Sequence, residues 1–526
     1  MEIGQNLEEI KSLATLISRN KVKQIDVIGN SETATQQTSV LYNHLVLGKI
    51  EQDSQIITTF FADKDPKNAV SYCRRLKRKL TNRLINTLFF IDINQPNFNK
   101  YNQAFYTLYK QAAAVKIMLA NFARPAAIQL AEEAIKKAIQ FELTDVVFSL
   151  AEILSRHYAT IDGNPKKFKE YDALCQKYFA ILSTEHMASS YYNQLRIHFT
   201  KMKGFQPEAV EDARIYSDKL KEITEKGELE SFNLRYFSFL VHAIRYEVTN
   251  DYQPLLEVCE EALAYFMERE ERVPRNVFFN FTLRKFVCHT RLMQYDQAWA
   301  ITDQCLGFVR EGTNNWFLAL EYFLILAFQT GLYQDAYRYY VKAAARPEYE
   351  KLQQNMAERW RMYEAYVHYF VARKIIQPDG NAQLKRFRRR RFMNEFPMYS
   401  KDKRGINISI IVLQILFFLL DKQYGEIIDR VESLKVYTQR YLRQDDTFRS
   451  NCFIQMLLVV PACSFHRAAV IRKAEYFWKK LQSRPIDVAN QTTEIEPVPY
   501  EVLWSFVLNS LDEKVHHVRK TRKRKQ

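Results

Sequence analysis

Glycine is scarce in this chain. It holds 12 glycines in 526 residues, none between positions 49 and 162 and none from 426 to 526. Turns that need a positive φ are therefore few, which disfavours a β-rich fold and leaves an all-α one. Cysteine is equally uninformative as a framework. The seven, at 73, 175, 259, 288, 305, 452 and 463, are odd in number and never spaced Cys-x-x-Cys. They read as reduced core thiols of a cytoplasmic (intracellular) protein. No basic-then-apolar signal opens Met1–Gln5, so export is not expected. The most apolar run, Ile408 to Leu420, is interrupted by Ser409 and Gln414 and bounded by Asp421. It falls short of the roughly 20 residues a membrane helix needs, and no membrane span is expected.

Aromatic residues are abundant, with 31 Tyr and 36 Phe, and their spacing carries the fold. In Gly331-Leu332-Tyr333-Gln334-Asp335-Ala336-Tyr337-Arg338-Tyr339-Tyr340-Val341-Lys342-Ala343, small and aromatic residues fall where two antiparallel helices must meet. The pattern recurs at Asp251-Tyr252 with Leu255, Cys259 and Ala262, and at Gln294-Tyr295 with Ala298, Thr302 and Cys305. A weaker copy runs from Lys422-Gln423-Tyr424 to Ile427, Val431 and Leu434. The anchoring tyrosines are 43, 38 and 91 residues apart, the last gap leaving room for one unit without the signature. Gly204-Phe205-Gln206 with Ala209 and Ala213, and Pro125-Ala126-Ala127 with Leu130 and Ala134, are more degenerate copies.

These segments resemble the tetratricopeptide repeat (TPR), specifically over residues 250 to 350 and only suggestively elsewhere. The resemblance implies a signature of Gly331, Tyr333, Ala336, Tyr340 and Ala343, with Tyr252, Ala262, Tyr295, Ala298 and Tyr424 in the other copies. It implies a TPR-like α-solenoid of helical hairpins, with a groove lined by the first helix of each unit that takes a protein or peptide partner. Single cores rarely exceed about 300 residues, whereas stacked repeats can. The expected organisation is an N-terminal helical module over 1–92, repeats over 93–511 with a basic insertion at about 376–404, and a basic tail over 512–526.

Charge is the second signal. The formal net charge is +16, and three windows of six cations and no acid, beginning at 74, 385 and 519, leave the rest of the chain at −2. Confined positive charge attracts phosphate backbones, acidic proteins or anionic surfaces. The first window lies on the third of three helices expected after a Ser/Thr-rich stretch from Asn30 to Ser39: Val40 to Leu47, Ser54 to Phe61, and a long one capped by Asp65-Pro66. Cys73, Leu76, Leu80, Leu84 and Leu88 form its apolar stripe, and Asn68, Ser71, Arg74, Arg75, Arg78 and Lys79 fall on the far side. The outline is that of a helix-turn-helix module, with Arg75 and Lys79 toward phosphates and Asn68, Ser71 and Arg74 toward bases. A capping hairpin with a solvated basic face fits the same residues.

The second window, Lys385, Arg386, Arg388, Arg389, Arg390 and Arg391 framed by Phe387 and Phe392, follows the breaker Gln377-Pro378-Asp379-Gly380. Here the aromatics suit base stacking, or equally pin the segment to a neighbouring helix while the arginines meet acids of the same chain. Arg519 to Lys525 forms the third, an electrostatic tail. Catalytic signatures fail: Gly307 to Gly312 has phosphate-loop glycine spacing, but Thr313-Asn314 replaces the required Lys-Ser/Thr. The adjacent pairs Cys288-His289, Glu185-His186 and His516-His517 point about 100° apart on a helix, a poor start for a metal site. No enzyme activity, cofactor or metal is expected. The reading is a noncatalytic protein-interaction scaffold or adaptor; the alternative is a nucleic-acid-binding regulator with a TPR-like partner-binding domain.

Overall fold

The computed structural model describes residues 32–95, 98–201, 207–378, 387, 389–394, 406–441, 448–484 and 496–513. Among these, the chain is α-helix with a few short 3-10 turns; extended backbone pairs only at an isolated bridge between His466 and Asp512. It divides into two compact units, Met1–Phe179 and Ala180–Gln526. The first holds α1 (Glu32–Val46), α2 (Asp53–Phe60), α3 (Pro66–Thr87), α4 (Lys100–Ala120), α5 (Arg124–Gln140) and α6 (Thr144–Thr160). The division falls within α7 (Pro165–Lys201). The second continues with α8 (Pro207–Lys226), α9 (Phe232–Thr249), α10 (Tyr252–Met267), α11 (Arg275–Arg291), α12 (Tyr295–Ala300), α13 (Thr302–Gly307), α14 (Asn314–Gln329), α15 (Tyr333–Ala344) and α16 (Gln354–Ala372). It ends with α17 (Arg389–Asn394), α18 (Ile406–Leu420), α19 (Tyr424–Tyr441), α20 (Phe448–Ala462), α21 (Arg467–Gln482) and α22 (Tyr500–Asn509).

Consecutive helices pack in pairs: α4 on α5, α5 on α6, α8 on α9, α9 on α10, α10 on α11, α14 on α15, α18 on α19 and α20 on α21. One turn joins many of them. Phe122, Glu142, Asn250, Met293, Gly331, Lys422 and Phe465 all have φ between 54° and 76°, and each stands two residues before a helix begins. In five of these turns the next residue's N–H reaches back to a carbonyl of the finished helix: Ala123 to Met118, Leu143 to Ala138, Asp251 to Tyr246, Gln294 to His289 and Gln423 to Phe418, at 2.8 to 3.0 Å. That is the bond by which a left-handed residue closes a helix C-terminus. Only one of the seven positions is glycine, so a search led by glycine finds one turn and misses most.

The tyrosines of the signature, Tyr252, Tyr295, Tyr333 and Tyr424, are the first residues of α10, α12, α15 and α19, each half-buried. Tyr333 stacks on Phe370 at 4.4 Å, and Tyr424 meets Phe465 at 4.4 Å. Behind them Ala262, Ala298, Ala336, Tyr340 and Ala343 are buried, as are Leu255, Cys259, Cys305, Ile427, Val431 and Leu434. In the first unit α5 does the same with Ala127, Ala131, Ala134 and Ala138, all at most 1% exposed. Small side chains at steps of three and four let the neighbouring helix approach closely.

Three details differ from the sequence reading. First, α1 starts at Glu32, eight residues before Val40, so the Ser/Thr stretch is helical over its described part. Thr38 sits inside because Arg83 of α3 donates to its hydroxyl. Second, the helix of Ala298 and Cys305 breaks at Ile301, where φ is −105° and ψ 4°, and the Thr302 hydroxyl turns back to the Trp299 carbonyl. Third, α16 packs directly on α18, and between them the described chain forms only the six-residue α17. The other expectations placed on 202–206, His516-His517 and Arg519–Lys525 lie outside the described residues.

α18 is buried from Ser409 to Leu419, Gln414 included. Gln414 donates to the Phe392 carbonyl at 2.9 Å, which accounts for a polar side chain at that depth. Among the described residues no helix is long and apolar enough to cross a membrane. A closing segment then ties distant helices together. Glu496 accepts from both Nε and Nη2 of Arg449 at 3.0 and 2.9 Å, and its carbonyl accepts from Gln329 at 3.4 Å. Arg373 donates to Ser510, and Lys422 pairs with Asp512.

Two stability predictions follow from this packing. Ala336 is fully buried, so Ala336→Leu is expected to destabilise by about 1 to 3 kcal/mol through overpacking, and Ala336→Gly by about 1 kcal/mol through helix propensity. Urea unfolding checks both, and an undiminished leucine variant would remove Ala336 from the tight packing position. At the turns, Gly331 has φ +76° with open space around a would-be Cβ. Gly331→Ala is therefore expected to cost about 1 kcal/mol in backbone strain alone, while Met293→Gly, at φ 57°, gains up to about 1 kcal/mol. Opposite signs in the two variants test whether the left-handed backbone, rather than the side chain, sets the turn.

Candidate functional site

The basic window of α3 separates into two sets. Asp65 caps the helix by accepting from the Lys67 N–H at 3.2 Å, and Cys73, Leu76, Leu80 and Leu84 seat it against α1 and α2. Two cations of the window are part of that seat. Lys77 is buried and donates to both carboxylate oxygens of Asp53 at 3.1 and 2.9 Å, and Arg83 is held by Thr38. Outward stand Asn68, Ser71, Arg74, Arg75 and Arg78, all exposed, with Lys79 half-buried beside them. Among the described residues none of Arg74, Arg75, Arg78 or Lys79 has an ion-pair partner. α3 carries no Asp or Glu along its 22 residues. Arg74 with Arg78 and Arg75 with Lys79 are therefore like-charged i, i+4 neighbours, an arrangement that opposes the helix.

The second window behaves differently. Lys385, Arg386 and Arg388 lie outside the described residues, as does the side chain of Arg391. Arg389 turns inward: it pairs with Asp421 and lies over the Phe417 ring at 4.6 Å. Phe387 stacks on His368 at 4.6 Å and meets Phe392 at 5.6 Å, and Phe392 in turn meets Phe417. Of the two readings of these aromatics, pinning the segment to neighbouring helices is the one their contacts fit. Arg390 alone of the described arginines here is exposed.

Sequence reasoning missed a set of polar pairs between first helices. Arg284 of α11 donates to Glu247 of α9 at 2.8 Å, and Asn280 of α11 to Tyr236 of α9 at 2.7 Å. Two hairpins on, Glu321 of α14 accepts from Arg359 of α16 at 2.9 Å and from the Tyr363 hydroxyl at 2.9 Å. Burial pulls the Arg284 and Arg359 guanidinia down, but the facing carboxylates more than restore them, so both remain charged. The partners are 37 and 38 residues apart, one repeat period, and opposite charges at that interval were the available signal.

The phosphate-loop glycines are otherwise engaged. A Cβ at Gly312 would fall 2.9 Å from the Glu348 carboxylate, and Glu311 beside it pairs with Arg346. An acid already occupies the place of an anion. The adjacent pairs are also committed: His289 bonds Gln294 at 2.7 Å, Cys288 faces the Cys259 thiol, and Glu185 accepts from Asn233. Among the described residues no three His, Cys, Asp or Glu side chains are placed to hold a metal. No protein family matches the chain, and neither a curated protein nor a solved structure matches it.

Two histidines are kept neutral. Burial lowers His368 to about 4; burial, with help from Arg245 and Lys221, lowers His242 to about 4. Both would titrate near 6.5 unfolded, so below that pH the unfolded chain binds the extra protons. Stability is expected to be intact above about pH 6.5 and to fall as pH drops toward 4. Unfolding midpoints measured across that range check it, and the combined His242→Gln and His368→Gln variant is expected to flatten the slope.

Proposed function

We propose that this protein is a noncatalytic interaction scaffold or adaptor of TPR-like build, in which the first helices α9, α11, α14 and α16 take a peptide or helical segment of a protein partner. The observation that carries the reading is the run of polar pairs on those helices. Glu247, Arg284 and Arg359 keep between 19% and 26% of their side-chain surface exposed while each is bonded to a facing helix, Glu247 with Arg284 and Arg359 with Glu321. Such a face is fixed in geometry yet offers hydrogen-bonding edges to a ligand laid across it. The second helices, by contrast, put their small and aromatic residues into the packing behind. The free thiols support a reducing, cytoplasmic setting for this activity.

A photoreactive tyrosine analogue tests the reading in living cells. Placed at Tyr322 on α14, next to Glu321, it is expected to give discrete higher-mass adducts with a protein partner. At Tyr339 on α15, whose ring stacks on Trp299 at an interplanar angle of 7°, it is expected to give none. Adducts from Tyr339 alone, or from neither position, overturn the groove assignment.

A further inference from the structure

We infer that the exposed face of α3 is a nucleic-acid-binding surface that contacts the phosphate backbone through Arg74, Arg75, Arg78 and Lys79. This site lies outside the helices assigned to the protein partner, so it stands or falls independently of that assignment.

The starting observation is the sorting of charge within one helix. Lys77 and Arg83 are spent internally, on Asp53 and Thr38, and they lock α3 to α2 and α1. The other four cations of the window are grouped within six residues on the solvent side, with no acid on the helix to neutralise them. Some exposed arginines elsewhere meet acids of their own helix, Arg214 with Glu211 and Asp218 and Arg338 with Asp335, whereas α3 offers its cations none. Left without that relief, the α3 cations repel one another, and a line of phosphates removes the repulsion while releasing counterions.

The rest of the face selects nucleic acid over other anionic partners. A membrane-bound amphipathic helix needs its apolar side free to enter lipid. Here Cys73, Leu76, Leu80 and Leu84 are already covered by α1 and α2. Flanking the cations are uncharged hydrogen-bonding side chains, Asn68, Ser71 and Asn82, all exposed, the residue types that supplement Arg and Lys at phosphates and base edges. Tyr72, 44% exposed, is backed by a stacked Phe61. The helix is about 33 Å long and 10 to 12 Å across, a fit to a groove about 12 Å wide. Its rigid seat means that little order is lost on binding.

Fluorescence anisotropy with the full chain tests this, using labelled 20-base-pair duplex DNA, duplex RNA of the same length and a 20-nucleotide single strand, from about 50 to 200 mM salt. The parent is expected to bind at least one of these at 50 mM, with affinity falling steeply as salt rises. Changing Arg74, Arg75, Arg78 and Lys79 together to Gln is expected to weaken binding at least about tenfold and to flatten the log–log salt slope by about 0.9 for each duplex-DNA phosphate that is no longer neutralised. Two paired variants, Arg74→Gln with Arg78→Gln and Arg75→Gln with Lys79→Gln, give intermediate slopes and cover the case in which the fourfold variant misfolds. A charge-matched control, Lys136, Lys137, Lys169 and Lys177 to Gln, leaves the slope unchanged. The inference is overturned if the parent binds none of the probes at 50 mM, if the α3 variants match the parent in affinity and slope, or if the control weakens binding as much as they do. It is equally overturned if polyglutamate or vesicles with anionic headgroups displace the probe as efficiently as unlabelled nucleic acid.

Discussion

A left-handed residue in the turn between consecutive packed helices is the constraint on which this architecture turns. Seven hairpins make the same backbone move, and six of them make it with a side chain present, against a penalty of about 1 to 2 kcal/mol each. What offsets that penalty lies immediately downstream. A half-buried tyrosine opens four of the following helices, and small residues behind it bring the two helices close together. Turn and interface are one device: the angle set by φ is useful only because Ala336 or Ala262 permits the approach, and the approach holds the angle in place. Strain of this kind persists where the surroundings over-determine it.

Charge is handled by a similar division between outward and inward. The net charge suggests three equivalent basic windows, yet the structure treats the cations individually. Lys77, Arg83 and Arg389 serve the interior, each with a named partner, and Arg284, Arg359 and Arg449 join helices through carboxylates one or more units away. Breaking one member of such a pair strands a charge in a poorly solvated place, so these pairs restrict which helix can neighbour which. They do less for total stability than for register.

How much of this was legible in the sequence depended on which residue carried the signal. The four tyrosine-led turns were visible because each Tyr is followed three positions on by an apolar residue, Leu255, Ala298, Ala336 or Ile427, and by further apolar or small positions behind it. The turns at Glu142 and Phe465 were not, and the one at Phe122 showed only through the degenerate copy that starts at Pro125, because Phe and Glu carry no hint of a positive φ and only the surrounding packing imposes it. On α3 the apolar stripe located the buried face and hence the exposed Asn68, Ser71, Arg74, Arg75 and Arg78 opposite it. It did not show that Lys77 would be internal, because a lysine's long stem can follow the apolar side to reach an acid on another helix. Likewise the Glu321 and Arg359 pair was hidden within helices that otherwise read as core.

The segment from Glu496 to Asp512 gives the second unit a temporal property as well as a spatial one. Neighbouring hairpins can form as soon as each emerges during synthesis, since their packing is local. Gln329, however, finds the Glu496 carbonyl 167 residues later, and Arg373 and Lys422 also wait for partners in that closing stretch. At about 5 to 20 residues per second the interval for Gln329 is roughly 8 to 33 seconds. For that time the hairpins already made stand without the contacts that the segment from Glu496 to Asp512 supplies.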